Sequence, residues 1–328
     1  MRVVVIGGTG HVGTYLIPRL VAGGNEVVVI SRSRRAPYLR HPAWNRVRTI
    51  TLDRESGDKD GSFAKAVARE NPDVVVDMIC FTRAQAERLV EALRGRVQHL
   101  LVCGTIWIHG PSVAVPTPET ESLDAFGTYG TNKLELTRYL LLEARRNGFP
   151  ATVIHPGHIV GSGWIPINPL GNLSLTVFER IARGEPLHFP TLGFETLHHV
   201  HADDVAALFQ CAIERWSASV GEDFHAVSEA AVTLRGYAAQ AAGWFGRDIA
   251  LEFRSPDEVW TRGLTDEEVS ATWDHIARSP NASMEKARRL LGFVPRYSSF
   301  EAIREAVSWL QVKGSLPGAV GSVDGADE

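Results

Sequence analysis

The chain opens with Met1-Arg-Val-Val-Val-Ile-Gly-Gly-Thr-Gly-His-Val-Gly13, written MRVVVIGGTGHVG. Val3, Val4, Val5 and Ile6 form a continuous β-branched run, the pattern of a strand buried on both faces. A glycine-rich turn follows at once. Gly8, Gly10 and Gly13 fit GxGxxG, and Gly7, Gly10 and Gly13 fit GxxGxxG. A loop of this kind directly after a strand and opening a helix has the context of a dinucleotide-binding turn. Its glycines let the backbone turn tightly and approach a pyrophosphate, whose charge the helix N-terminus stabilises. Gly7, Gly10, His11, Val12 and Gly13 are the cofactor-binding candidates. The bland alternative is a plain β–α turn.

Working outward, the alternation continues. Strand-like runs recur at 27–30, 47–52, 73–79, 98–104 and 150–155, separated by helical patterns to about 23 and over 60–71, 82–94 and 126–147. Strands alternating with helices point to a parallel sheet with crossover helices. The expected class is therefore α/β, a Rossmann-like doubly wound parallel sheet with a smaller C-terminal mixed α/β substrate lobe. Residues 1–155 read as the dinucleotide-binding lobe, with later segments near 196–216 packing back onto it. Residues 156–313 read mainly as the substrate lobe, and 314–328, lacking periodicity, as a flexible tail.

Composition narrows the function classes. The chain has 328 residues, 44% hydrophobic and 22% charged, enough to build a sizeable core. A net charge of −4 argues against a dedicated nucleic-acid surface. Cys80, Cys103 and Cys211 give neither a disulfide framework nor a CxxC metal spacing, which suits a reducing compartment. With no signal-peptide pattern and no apolar run of spanning length, the expectation is a cytoplasmic protein without a membrane segment.

Cofactor choice is read at the end of the second strand, where a site for NAD places an acidic residue against the ribose. Here Ser31 stands in that slot, followed by Arg32, Arg34 and Arg35. A hydroxyl and guanidinium groups suit a 2′-phosphate, so NADP(H) is favoured and NAD(H) is the alternative. A solvated basic loop would look the same. Asp53, after the third strand, is a candidate adenine contact or a simple turn former.

Tyr129-Gly-Thr-Asn-Lys133 lies near the start of the long helix after the fifth strand. A spacing of four puts Tyr129 and Lys133 on one helix face. A neighbouring ammonium stabilises phenolate, so such a pair can move a proton to or from a substrate oxygen. Alone, the pair carries little weight. Together with GGTGHVG, CGTIWIHG, HPGHIVG, HHVHADDVA and KARRLLGFVP it resembles the extended short-chain dehydrogenases/reductases, the NAD-dependent epimerase/dehydratase family, over nearly the whole chain. The resemblance implies that Thr105 orients the substrate oxygen, Tyr129 transfers the proton, and Lys133 supports it and holds the nicotinamide ribose. It also places Pro156 beside the nicotinamide. His155 stands where the family has Arg, and Asp203 and Asp204 match an acidic pair at a helix start.

Departures from the family narrow the substrate. Ile106 and Trp107 follow Thr105 where sugar-nucleotide dehydratases carry Asp-Glu, and neither can move a proton. Leu197 stands where nucleotide-sugar epimerases carry a diphosphate-gripping Arg, and Arg278-Ser-Pro-Asn281 replaces an Arg-Pro-Gly-Asp-like segment. One lost charge-assisted contact costs about 1.5–3 kcal/mol, so a smaller polyol or sugar-like compound fits better than a nucleotide diphosphate. Trp107, His158, Trp164 and His199 are the candidate substrate contacts. The histidine-rich segments lack metal-ligand spacing, and no metal is expected.

The reading is an NAD(P)-dependent oxidoreductase or epimerase that transfers hydride at an alcohol/ketone carbon of a small polar substrate, with Tyr129 as acid/base. The alternatives are a nucleotide-sugar epimerase and a non-catalytic, NADP-sensing or RNA-associated member of the fold. By resemblance the chain forms a homodimer through the helices at 82–94 and 126–147.

Overall fold

The computed structural model of the chain describes residues 1–32, 36–121, 123–260 and 264–318. It divides into two compact units, the first built from Met1–Gly157, Ala202–Val227 and Ala282–Arg296, the second from His158–His201, Ser228–Asn281 and Tyr297–Glu328.

The first unit is Rossmann-like. Its strands are β1 (Arg2–Ile6), β2 (Glu26–Ser31), β3 (Arg48–Thr51), β4 (Val74–Asp77), β5 (His99–Cys103), β6 (Ala151–Pro156) and a seventh, Asp223–Ala226. They form one parallel sheet in the order seventh, β6, β5, β4, β1, β2, β3. Valine runs in β1, β2 and β4 are buried because helices cover both faces of a parallel sheet. The connecting helices are α1 (His11–Ala22), α2 (Arg54–Lys59), α3 (Ser62–Arg69), α4 (Arg83–Leu93) and α5 (Gly127–Asn147). One face of the core packs Val4, Val28, Val75 and Leu100 against Val67, Leu89 and Leu140.

Two boundaries differ from the sequence reading. The helix expected over 60–71 is α3, Ser62–Arg69, and a short helix not expected, α2, precedes it, capped by Asp53 and separated from α3 by Gly61 at φ 72°. The run at 73–79 stops as a strand at Asp77, whose Oδ1 accepts from the Ile79 N–H and turns the backbone away. The acidic pair joins elements of this unit. Arg19 of α1 donates to Asp203 Oδ1 through Nε (2.9 Å) and Nη2 (2.7 Å), and Asp204 Oδ1 accepts from the Arg296 N–H at 2.9 Å. Both carboxylates also sit in the first turn of the helix Ala202–Glu214, where the helix dipole favours them.

The second unit pairs short strands. His158–Val160 runs parallel to His199–His201, Leu187–Phe189 parallel to Leu251–Phe253, and Thr196–Leu197 antiparallel to Val232–Thr233. Phe178, Phe189, Tyr237, Phe245 and Leu310 fill its core with the helices Leu234–Trp244 and Ser299–Val312. Leu316 joins that core, and the Pro317 carbonyl accepts from Gln311 Nε2 at 2.9 Å, so the stretch expected as tail from 314 is anchored at its start. Residues 319–328 lie outside the described part. No helix among the described residues is long and apolar enough to cross a membrane.

Candidate active site

The glycine loop has the shape a dinucleotide needs. Gly7 adopts φ 79°, and a Cβ there would lie 2.9 Å from Ile79. At Gly13 a Cβ would overlap the Gly8 carbonyl, so α1 can approach the loop this closely only with glycine at that position. Gly10 caps α1 with no side-chain hydrogen bond and no acid in the first turn. A helix N-terminus with neither a side-chain cap nor a first-turn acid favours an anionic group. Gly7 N donates to Ile30 O at 2.8 Å, which ties the loop to the end of β2. His11 and Val12 are buried at the loop, His11 edge-on to Tyr38 at 5.6 Å. The donor set and the cradle fit a pyrophosphate-linked cofactor.

At the adenosine end Ser31 closes β2, buried, and its carbonyl accepts from Leu52 N at 3.0 Å. Arg32 is exposed, while Arg35 and Arg34 lie outside the described residues. Asp53 takes the turn-forming role, its Oδ1 accepting from Glu55 N (2.8 Å) and Ser56 N (3.2 Å).

Thr105, Tyr129 and Lys133 come together at the C-terminal ends of β4 and β5, the edge of a parallel sheet where ligands bind. Thr105 follows β5 and caps a 3-10 turn, Ile106–His109, its Oγ1 accepting from Trp107 N at 3.3 Å. Tyr129 is in the first turn of α5, near enough to Thr105 for that hydroxyl to act on its titration. Lys133 follows one turn later and is buried, its Nζ donating to the carbonyls of Cys80 (2.7 Å) and Cys103 (2.6 Å). The ammonium lies 5.8 Å from the Tyr129 ring centre and 4.8 Å from that of Phe81. Trp107 meets the Tyr129 ring edge-on at 5.7 Å.

The electrostatics differ from the expected lowering of the Tyr129 pKa. Desolvation by the surrounding protein raises it above the ordinary tyrosine value, although the residue keeps 42% of its surface exposed, and nearby Cys103 adds to this. The nearby Thr105 hydroxyl works the other way. Burial lowers the Lys133 pKa, and Cys103, Cys80 and Asp77 oppose that. In the protein alone the phenol is therefore neutral at physiological pH.

These elements match a known family. The NAD dependent epimerase/dehydratase family covers residues 3–226, about two thirds of the chain and all of the site just described. The chain belongs to that family. Relatives of the chain are named as a reductase, a dehydrogenase and epimerases. Among curated relatives, 2'-dehydrokanamycin reductase of Streptomyces kanamyceticus is 32% identical over 134 residues, 41% of this chain and only 36% of the reductase. Chloroplast stem-loop binding protein of 41 kDa b from Arabidopsis thaliana is 24% identical over 93% of this chain and 78% of its own. Among solved structures, a UDP-glucose 4-epimerase from Thermotoga maritima superposes with TM-score 0.72 at 20% identity, over 95% of this chain and 99% of that one.

Several features of this family member had no signal in the motifs. Arg54 is buried and bridges Asp77 (Nη1 to Oδ2, 2.6 Å) and Asp58 (Nε to Oδ2, 3.3 Å), bracing the end of β4 beneath Lys133. Burial works to lower the Arg54 pKa, but Asp77, Cys80 and Asp58 together hold it above the ordinary value. Phe81, beside Tyr129 at 6.5 Å, was also missed. Its place just past a strand's C-terminal end was the available clue. Pro156 ends β6, and the next residue, Gly157, donates to Ala226 O at 3.0 Å.

The remaining candidates lie in the second unit. His158 is buried, its ring 5.5 Å from that of His199 and 5.0 Å from that of His275. Burial pushes His158 well below the ordinary histidine value and His199 down to about 3. Neutral imidazoles suit hydroxyl partners better than anions. Trp164 is 39% exposed. Leu197 is fully buried, and Arg278 is buried against the Asp274 carbonyl and carboxylate.

Proposed function

We propose that the protein is an NADP-preferring oxidoreductase or epimerase that moves a hydride at an alcohol/ketone carbon of a small polyol or sugar-like compound. The observation that carries this reading is the convergence of Thr105, Tyr129 and Lys133 at the C-terminal edge of the sheet, with the Lys133 ammonium 5.8 Å from the Tyr129 ring centre. Thr105 Oγ1 already accepts from Trp107 N, so its proton points onward to a substrate oxygen or to Tyr129. Tyr129 then takes or gives the proton as the carbon oxygen changes between alcohol and ketone. Lys133 has three donors, of which two hold the Cys80 and Cys103 carbonyls, leaving one for a ribose hydroxyl. A bound nicotinamide would supply the hydride acceptor or donor, and the positive charge of its oxidised form would favour phenolate at Tyr129. Ser31 and Arg32 support a 2′-phosphate and hence NADP(H), while His158, His199, Trp107 and Trp164 are proposed for the substrate.

The similarity of part of the chain to 2'-dehydrokanamycin reductase, whose printed name carries no nucleotide, supports a substrate without one. An epimerase of nucleotide sugars is the second reading, favoured by the fold match to a UDP-glucose 4-epimerase. The stem-loop-binding relative makes an RNA-associated role the third. A cytoplasmic homodimer through α4 and α5 completes the proposal, and light scattering after size exclusion tests it. Mass spectrometry of the copurified cofactor, then a polyol and sugar panel read at 340 nm, separates the readings. A reductase consumes NADPH stoichiometrically and an epimerase retains it. NAD as the retained cofactor, or activity undiminished in Tyr129→Phe, overturns the proposal.

A further inference from the structure

Thr105 opens the short turn Ile106–His109, and both ends of that turn rest on buried histidines of the sheet. At the start, the Thr105 backbone N–H donates to Nδ1 of His155 at 3.1 Å. At the end, His109 Nε2 lies 2.8 Å from His225 Nε2. His155 and His225 are register partners on neighbouring parallel strands, and neither exposes any surface. Gly104 makes the close approach possible, since a Cβ there would overlap the His155 ring.

The neighbours fix every proton. A backbone N–H can only donate, so His155 Nδ1 holds a lone pair, an imidazolium is excluded, and the ring proton sits on Nε2. That nitrogen faces Asp223 Oδ2 at 3.5 Å, and Asp223 is held in turn by Lys286 Nζ at 2.9 Å. Burial tends to raise the Asp223 carboxyl, but His155 and Lys286 together keep it below the usual carboxylate range. On the second histidine, Nδ1 lies 3.0 Å from the Ser283 carbonyl and so carries a proton. Its Nε2 is therefore the acceptor for His109. Glu119 accepts from the His225 backbone N–H at 2.9 Å, completing the support.

A histidine buried for packing alone has only its own polar atoms to satisfy. Here two side chains in register grip one turn at both ends, and the first residue gripped is Thr105. We infer that His155 and His225 are positioning residues that set the Thr105 hydroxyl, with Asp223 and Lys286 fixing the His155 tautomer. This rests on the reading that Thr105 and Tyr129 act together on the substrate. Neither histidine touches a reacting atom. They act through the turn.

The test uses the NADP⁺-saturated full chain, labelled with ¹⁵N-threonine, the Thr105 amide being identified by its loss in Thr105→Ser. In His155→Leu the Thr105 amide exchanges with solvent about tenfold faster or more. In His155→Asn the side-chain oxygen replaces the Nδ1 acceptor and exchange returns to near the parent rate. The Tyr129 hydroxyl is followed in parallel by tyrosinate absorbance, as the difference between the parent and Tyr129→Phe. Its midpoint rises by roughly half a pH unit in His155→Leu and returns in His155→Asn. A packing role alone would not be rescued by asparagine. If the Thr105 amide and the Tyr129 midpoint are both unmoved in a folded His155→Leu, or if His155→Asn behaves like His155→Leu, the inference is overturned. Should His155→Leu fail to fold, the Asn variant against the parent decides, since loss of amide protection there overturns it too. A Tyr129 midpoint unchanged in Thr105→Val would instead overturn the Thr105–Tyr129 pairing, and the amide result separates the two failures.

Discussion

The Lys133 ammonium lies 2.6 Å from the Cys103 carbonyl oxygen, so one side chain ties the start of α5 to the end of β5. With the Cys80 carbonyl at 2.7 Å it also reaches the segment after β4. Replacing Lys133 by Met leaves both buried carbonyls without their donor, a loss of about 1–3 kcal/mol each in desolvation. The expected result is a lower urea midpoint together with loss of turnover, measured by equilibrium unfolding and cofactor turnover on the same preparation. Unchanged stability in Lys133→Met would show that the carbonyls find other partners.

Tyr129→Phe removes only the hydroxyl, and the ring still packs between Trp107 and Phe81. Loss of a positioned acid/base lowers kcat by roughly 10²–10⁴-fold. Cofactor affinity, read by NADPH fluorescence, and the melting temperature should stay near those of the parent. Turnover within a few-fold of the parent would count against Tyr129 as the proton-transfer group.

Gly13→Ala drives a methyl into the Gly8 carbonyl, a backbone atom that cannot step aside. Overpacking of this kind costs about 1–3 kcal/mol. We expect a lower melting temperature and weaker NADPH binding together, by differential scanning calorimetry and fluorescence titration. Normal NADPH binding in this variant would contradict the proposed role of the loop.

Ser31→Asp places a carboxylate where the 2′-phosphate is proposed to sit. KM for NADPH should rise about tenfold or more, while KM for NADH changes less or falls. Initial rates with both cofactors decide it, and an unchanged NADPH to NADH ratio would remove Ser31 from the cofactor site.

His198 and His199 give a pH signature. Burial lowers their folded pKa values to about 4 and about 3. The unfolded chain titrates near the ordinary histidine value of about 6.5, so it binds protons that the folded state refuses. Their stabilising effect is full above about pH 6.5 and is lost as pH falls toward 4. Urea midpoints should drop across that window, and a flat profile from pH 7 to 4.5 would show that these rings accept protons without unfolding.

Repetition made much of this molecule legible. The alternation of β-branched runs and helices named the parallel sheet, because a strand buried on both faces has no polar face to disguise it. The glycine loop and the spacing of Thr105, Tyr129 and Lys133 were readable for a similar reason: each is set by local geometry. The Arg54–Asp77 bridge and the His155–Thr105 hydrogen bond join residues 23 and 50 apart. Only the folded sheet brings such partners together, so no local pattern announces them. The same applies to Lys133, whose spacing from Tyr129 was visible while its two carbonyl partners were not.

The first unit draws on three separate stretches of chain, and Lys286, in the last of them, holds Asp223 on the edge strand. During synthesis β1 to β6 emerge first, the strand carrying Asp223 and His225 follows, and Lys286 comes later still. The His155 side of the sheet thus stays without its full set of partners until residue 286 has been made. Cofactor capture through the glycine loop and completion of the Thr105 support are then separate events in the life of a new chain, and the second waits for residue 286.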